Sequence, residues 1–439
     1  MTVKSSFAEV NLDVEPGAQR PPAELDPDAP FRILLMGDFS GRGGGEWKAI
    51  EIDRDNFDEV MAKVAPEFGG MKFREIDDFG PDAIYGAKGF QALREAVRST
   101  PAAVTPAAAP AVERPALRPG MSLLDSMLEE AEPSPAAPPP TPVKRAGMEA
   151  VVESIVAKYR VRAEDPAIAR KQAESDAEAG DCMRAILHDA RFQALEAAWR
   201  AAFGLVREVE TGTQLRIYIL DAGKAELLAG LADGRAERLL TDRERAWSVV
   251  AGNYTFGQSA LDAGMLGKLA KVMARAGAPF LAEADPGNGG REWSDLRQMP
   301  EARWIGLAMP RFLLRLPYGK KTVKAERFDF EEMPGKPEHG EYLWGNPSFA
   351  CVQLLAEAFA RDGWQMRVGS NLEISGLPAH VYEGEAKPCA EVLLTERDLD
   401  FILDEGYIPL ASVRGRDAVR LVRFQSIAKP AGRLAGRWE

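Results

Sequence analysis

The residues that could do chemistry in this 439-residue sequence are few and scattered. An apolar run, Phe31 to Met36, opens into Gly37-Asp38-Phe39-Ser40-Gly41, with Gly43 to Gly45 close behind. A strand feeding a glycine-rich loop is how backbone N–H groups come to bind phosphate. The spacing fails that reading: a GxGxxG pattern would need glycine where Glu46 or Lys48 stands, and no GxxxxGK[ST] occurs. Gly319-Lys320-Lys321-Thr322 imitates the end of a phosphate loop, but the second lysine breaks the spacing and Leu314 occupies the upstream glycine position. Glu331-Glu332 is an adjacent carboxylate pair in an acidic segment, which reads as a solvated charged surface rather than a glycosidase pair. His188, His339 and His380 show neither HxxxH nor HExxH spacing, and a local polar or capping role suits His188. The acidic cluster Asp53, Asp55, Asp58, Glu59 has Phe57 and Asp58 where a calcium loop needs an oxygen ligand and a glycine. No GxSxG elbow is present. The expectation is a protein without catalytic residues, cofactor or metal.

Composition supports that direction. Hydrophobic content of 46% and charged content of 28% are those of a globular protein with room for two or three cores. A net charge of -12 argues against general nucleic-acid binding, which needs a basic face. Cys182, Cys351 and Cys389 form no CxxC pair and read as small apolar residues in a reducing cytoplasm. The N-terminus lacks a signal-peptide core, and no apolar run approaches the ~18 residues of a membrane span.

The elements that must position these residues follow in order. Residues 1–30 are an arm in which Val10, Leu12 and Val14 alternate with polar residues, either a strand that adds to a neighbour's sheet or a disordered tail. Phe31 to Met36 is a buried strand. Glu51 to Phe68 reads as one amphipathic helix capped by Asp53 or Asp55, with Phe57, Val60, Met61 and Val64 on its apolar face. Met71 to Ile76 is a short strand and Phe90 to Val97 a helix. Residues 101–142 hold eleven of the 31 prolines and ten alanines, so residues 101–146 read as a disordered linker. Its one island, a short helix at 122–130, either docks in a partner's groove or on its own domain. Phe192, Leu195, Trp199, Ala202 and Val206 form one helical stripe, which Gly204 perturbs or ends. From Leu215 onward strands at 215–220, 247–251, 279–284 and 304–308 alternate with helices at 224–231 and 261–276, the pattern of a layered α/β domain. A helix at 396–403, a strand at 418–424 and a loose tail at 431–439 close the chain.

The stretch from Ala302 to Trp364 organises the rest. A buried strand meets a Pro-punctuated basic turn (Arg311, Arg315, Lys320, Lys321), and an apolar helix follows a Gly-Asn-Pro cap. Here PRFLLRLPYG (310–319), FDFEE (328–332), YLWGNPSFA (342–350), AFARDGW (358–364), SGLPAHVY (375–382) and GYIPL (406–410) resemble the large contractile-sheath subunit of bacterial type VI secretion systems, TssC/VipB-like. ILHDARFQALEAAWR (186–200) and VVAGNYTF (249–256) do likewise. FRILLMGDFSGR (31–42), EIDRDNFDEVMAKVAP (51–66) and FREIDDFGPDAI (73–84) resemble the small subunit, TssB/VipA-like.

The resemblance implies a fusion of a small-subunit-like domain (31–100) with a large-subunit-like domain (147–430), of contractile-sheath-like layered α/β fold with mixed sheets and helices. It implies a structural role in the bacterial cytoplasm: a protomer that assembles with other sheath protomers around an inner tube, on a baseplate, and contracts to drive effectors outward, without direct membrane insertion. Family arms add strands to neighbours, which points to Phe7, Val10, Leu12 and Val14. A disassembly AAA+ ATPase reads a short helix, which points to Leu123, Leu124, Asp125, Met127 and Leu128. Arg311, Arg315, Pro317, Tyr318, Trp344 and Asn346 lie in the family motifs and are expected to serve core or assembly. Family large subunits continue beyond the segment matching RFQSIAKP, and small subunits beyond Thr100. The alternative is therefore a non-polymerising, sheath-like adaptor or a baseplate or cap accessory.

Overall fold

The computed structural model describes residues 28–99, 166–369 and 372–438. Its contacts divide the chain into two units, Met1–Glu95 with Asp176–Glu439, and Ala96–Ser175. The described part of the second unit is two helix ends, where Arg170 pairs with Glu174 at 3.0 Å.

The first unit is built on a nine-stranded mixed sheet. Its strands are β1 (Phe31–Gly37), β2 (Ile50–Ile52), β3 (Leu215–Asp221), β4 (Val249–Phe256), β5 (Phe280–Ala284), β6 (Ile305–Met309), β7 (Glu373–Ser375), β8 (Ile408–Ser412) and β9 (Ala418–Leu421). The order is β7-β9-β8-β6-β5-β4-β1-β3-β2, with β8, β6, β5, β4, β1 and β3 running parallel and antiparallel strands at both edges. A central parallel strand is covered on both faces, so it must be apolar throughout. β1 meets that demand: Phe31, Ile33 and Leu35 enter one core while Leu34 and Met36 enter the other.

The helices are α1 (Phe57–Val64), α2 (Pro81–Gly86), α3 (Lys88–Ser99), α4 (Pro166–Leu187), α5 (Ala190–Glu208), α6 (Lys224–Asp233), α7 (Arg235–Leu240), α8 (Ala260–Ala276), α9 (Arg291–Gln298), α10 (Pro347–Asp362) and α11 (Glu396–Asp404). Residues of α1, α5 and α10 pack on one face of the sheet, and residues of α6 to α9 on the other. The layered α/β class expected from the alternation is therefore present.

Several local expectations change. Apart from one two-residue hairpin, residues 31–95 form no sheet of their own; β1 lies between β3 and β4, in register with β3 from Phe31↔Leu215 to Gly37↔Asp221. The single helix expected over 51–68 is an edge strand, a turn and α1. Ile50 and Ile52 pair with β3, the Asp53 carboxylate accepts from the Asp55 and Asn56 N–H groups, and Ala65 ends α1 at φ 54°. The N-cap is Asn56 rather than Asp53 or Asp55. The strand expected at 71–76 is a two-residue hairpin arm, Met71–Lys72 against Glu67–Phe68. Gly69 and Gly70 turn it at φ 57° and 77°, as tight hairpins require. α5 runs through Gly204 to Glu208. The tail is not loose: Leu434 and Ala435 are buried, and the Ala435 N–H donates to the Arg303 carbonyl at 2.8 Å.

Candidate functional site

The Pro-punctuated segment after β6 builds two charged clusters. The first surrounds Arg315, which is 9% exposed. Its guanidinium forks onto two fully buried carboxylates. Nε and Nη2 donate to Glu196 on α5 at 2.8 and 3.3 Å, and Nη1 and Nη2 donate to Glu332 at 2.7 and 3.0 Å. Arg200, one turn on from Glu196, donates to that carboxylate at 2.6 Å and to the Tyr318 hydroxyl at 2.8 Å. The Tyr318 N–H donates to Glu332 at 2.7 Å, and the Arg315 guanidinium lies 4.3 Å from the Tyr318 ring centroid. Two cations face two anions, the balance a buried ionic cluster needs.

The geometry fixes the charge states. Burial raises the Glu332 carboxyl, but Arg315, with the nearby His188 and the Tyr318 N–H, outweighs it and brings it to about 2. Burial alone would lower the Arg315 pKa, yet Glu196 and Glu332 hold it well above the ordinary arginine value. His188 Nε2 lies 3.7 Å from Glu332, too far for a hydrogen bond, and does not cap α5; Asp189 does, accepting from the Arg191 N–H.

The second cluster is wetter. The Arg311 side chain is 38% exposed and pairs with Glu391 at 2.5 Å and Glu283 at 3.7 Å. His339 reaches the same Glu391 oxygen at 2.8 Å, and the Trp344 indole N–H donates to the His339 carbonyl. Asn346 caps α10 by accepting from the Ser348 N–H at 3.0 Å, while its amide donates to the Tyr254 carbonyl at 3.2 Å. Pro317 is buried in the turn between Arg315 and Tyr318.

All six motif residues thus gather along one segment, and the same segment reaches the N-terminal part of the chain. Glu326 and Arg327 donate backbone N–H groups to Asp82, and Phe328 stacks on Tyr85 at 4.7 Å. The Trp199 indole on α5 donates to the Phe39 carbonyl at 2.8 Å. Phe7, Val10, Leu12 and Val14, and Leu123, Leu124, Asp125, Met127 and Leu128, lie outside the described residues.

The glycine-rich loop after β1 offers no phosphate cradle. The Phe39 and Ser40 N–H groups donate to Asp221 at 2.8 and 3.0 Å, and the Gly43 N–H donates to Asp38. The protein's own carboxylates occupy the places of an anion. Among the described residues no group of three or more His, Cys, Asp or Glu side chains could hold a metal, and no helix is long and apolar enough to cross a membrane.

Glu331-Glu332 is not the solvated pair the sequence suggests, since Glu332 is fully buried. Phe328, Phe330 and Glu332 alternate inward in the FDFEE segment, and that period of two is the signal that could have placed the carboxylate. Glu196 and Arg200 were also missed. Their i,i+4 spacing beside the apolar stripe of α5 reads as an exposed helix pair until Arg315 arrives from 119 residues away.

Comparison with known proteins places these segments. Residues 170–239 and 287–428 match the VipB family, tail sheath N-terminal domain. Residues 3–69 match the type VI secretion system VipA family. One relative, the type VI secretion system sheath protein TssC1 of Pseudomonas aeruginosa, is 33% identical over 290 residues, 56% of this chain and 58% of that protein. The chain therefore spans little more than half the length of the relative it matches. A solved structure, the contracted helical sheath of the anti-feeding prophage, aligns at 14% identity over 52% of this chain and 51% of its own, with a TM-score of 0.31. VipA-like and VipB-like sequence therefore stands in one polypeptide, each match covering less than half of the chain.

Proposed function

We propose that this homologue of type VI secretion sheath proteins is a structural sheath component, a fused protomer in which the small-subunit-like and large-subunit-like parts act as one folded body. The observation that carries the reading is β1: a strand from the VipA-like match lies inside the sheet, between β4 and β3, and the other parallel strands come from beyond residue 214. A central strand cannot leave without exposing both faces of the core. The joining of the two segments fixes their ratio and raises their effective concentration.

In this reading the protomers assemble with one another around an inner tube, on a baseplate, in the bacterial cytoplasm. The arm at Phe7 to Val14 reaches a neighbour's sheet, and the Leu123–Leu128 segment is the contact for a disassembly ATPase. The contribution of residues 302–364 is mechanical. It ties the N-terminal segment, α5 and the sheet into a unit that can carry load.

Electron microscopy of the purified chain tests the assembly. Tubular or ring-shaped polymers, alone or with the secretion components encoded beside it, are expected; monodisperse monomers under all these conditions overturn the reading. The fused body is tested by placing a protease site within residues 101–118. After cleavage the two fragments should co-elute, and the fragment from residue 147 onward, expressed alone, should be insoluble.

A further inference from the structure

A cleft on the far side of the sheet from the Arg315 cluster belongs to none of this. It has a volume of about 430 Å³ and lies where the chain enters edge strand β2, beside α7. We infer that this cleft docks an acidic peptide segment, carrying an apolar anchor residue among its carboxylates, from a partner protein. The inference does not rest on the sheath reading.

Trp247 is buried at the base of the cleft, and its indole N–H is used by the Leu239 carbonyl at 3.1 Å. Trp47 is half-buried, its N–H donates to Glu226 at 3.0 Å, and Arg235 lies 5.1 Å from its ring centroid. Trp247 therefore forms the closed floor, and the partly exposed Trp47 ring is the apolar surface with no free donor, which suits an apolar side chain. Arg235 is itself satisfied by Asp233 at 2.8 Å and Glu226 at 3.7 Å. Lys48, Arg238 and Arg245 are exposed on the same lining. Among the described residues Lys48 and Arg245 form no ion pair, and Arg238 acts on Asp233 only through space.

Three cations face the single lining carboxylate of Asp242, a local excess of positive charge on a chain of net charge -12. Cations beside the half-buried Trp47 ring match a segment of alternating carboxylates and an apolar anchor. A phosphate ligand fits less well. The lining is side chains around an apolar ring rather than a cradle of backbone N–H groups.

The test uses the full chain and a fluorescein-labelled peptide, Asp-Glu-Phe-Asp-Glu-Leu-Glu, followed by fluorescence anisotropy at low salt. Saturable binding that weakens as salt rises is expected. The R238E/R245E variant should weaken it by about tenfold or more. K268E, a charge reversal on α8 away from the cleft, should leave it unchanged. The same peptide with Asn and Gln for Asp and Glu should not bind. K48E gives an independent reading if the double variant is misfolded by near-ultraviolet circular dichroism. Absence of saturable binding, equal binding by the charge-reversed variants, or displacement by inorganic pyrophosphate as readily as by unlabelled peptide would each overturn the proposal.

Discussion

Arg311 and Arg315 stand four residues apart in one turn, and the structure gives them opposite circumstances. Arg311 is 38% exposed and shares Glu391 with His339, while water reaches the pair. Arg315 is sealed between two fully buried carboxylates, each held bidentately. At the surface a charge that loses its partner is rehydrated at small cost. In the interior it has nothing to turn to, and the cost is that of an uncompensated buried ion. The comparison teaches that the segment's basic residues are not one feature. One is a surface ion pair, and the other locks α5 to the segment beneath it.

The largest effect that would break this comparison is R315A. It leaves Glu332 without its guanidinium and Glu196 with Arg200 alone. A loss of about 3–5 kcal/mol is expected, read as a shifted denaturant midpoint in urea. Replacing Glu332 together with Arg315, as R315M/E332Q, should recover much of the loss, because Glu196 keeps Arg200 and no buried charge is left without a partner. If R315A unfolds at the same urea concentration as R311A, the distinction between the two arginines is wrong.

E332Q sharpens the point through pH. The Glu332 carboxyl lies near 2 in the folded protein against an ordinary value of 4.5. A depressed folded pKa stabilises above the unfolded value, and the contribution disappears as pH falls through the folded one. The window is therefore from about 4.5 down to about 2, and the gap corresponds to roughly 3 kcal/mol. Thermal unfolding followed between pH 5 and pH 2 should show a steep loss in the parent chain and a shallower one in E332Q. E332Q should start lower at pH 7, because an amide cannot match the bidentate pair. Parallel curves for the two proteins would rule out this role for Glu332.

How much of this was legible in the sequence depends on the range of the interaction. β1, β3 and the stripe of α5 could be read because each is specified by its own period and burial. The cap at Asn346 was legible too, since Gly-Asn-Pro before an apolar run specifies it locally. The place of β1 between β3 and β4 was not, because Phe31 pairs with Leu215 and Ile33 with Val249, far along the chain, and an apolar run does not name its neighbours. The Arg315 cluster was illegible for the same reason. Glu196, Arg315 and Glu332 look like three ordinary surface charges until the fold removes their water.

N346A should fall between the extremes. It removes the acceptor for the Ser348 N–H and a donor to the Tyr254 carbonyl, both buried, so about 1–2 kcal/mol is expected. N346D should restore the cap but not the donor, and so recover only part of the loss in the same urea titration. Complete recovery would mean that the contact to β4 carries nothing.

The smallest expected effect is the most diagnostic. R311A removes a partly exposed pair, and about 0.2–1 kcal/mol should be lost at low salt. The loss should shrink as salt rises, since screening acts on exposed charges and hardly on buried ones. Glu391, held below its ordinary pKa by Arg311 against the effect of burial, should titrate higher in the variant. A proton-coupled nuclear resonance of that carboxyl would detect the rise. R315A should show no such salt dependence. A salt-insensitive loss of several kcal/mol in R311A would mean that the outer cluster is also closed to water. The two arginines would then form one continuous buried network along the segment, and the contrast between them would fall.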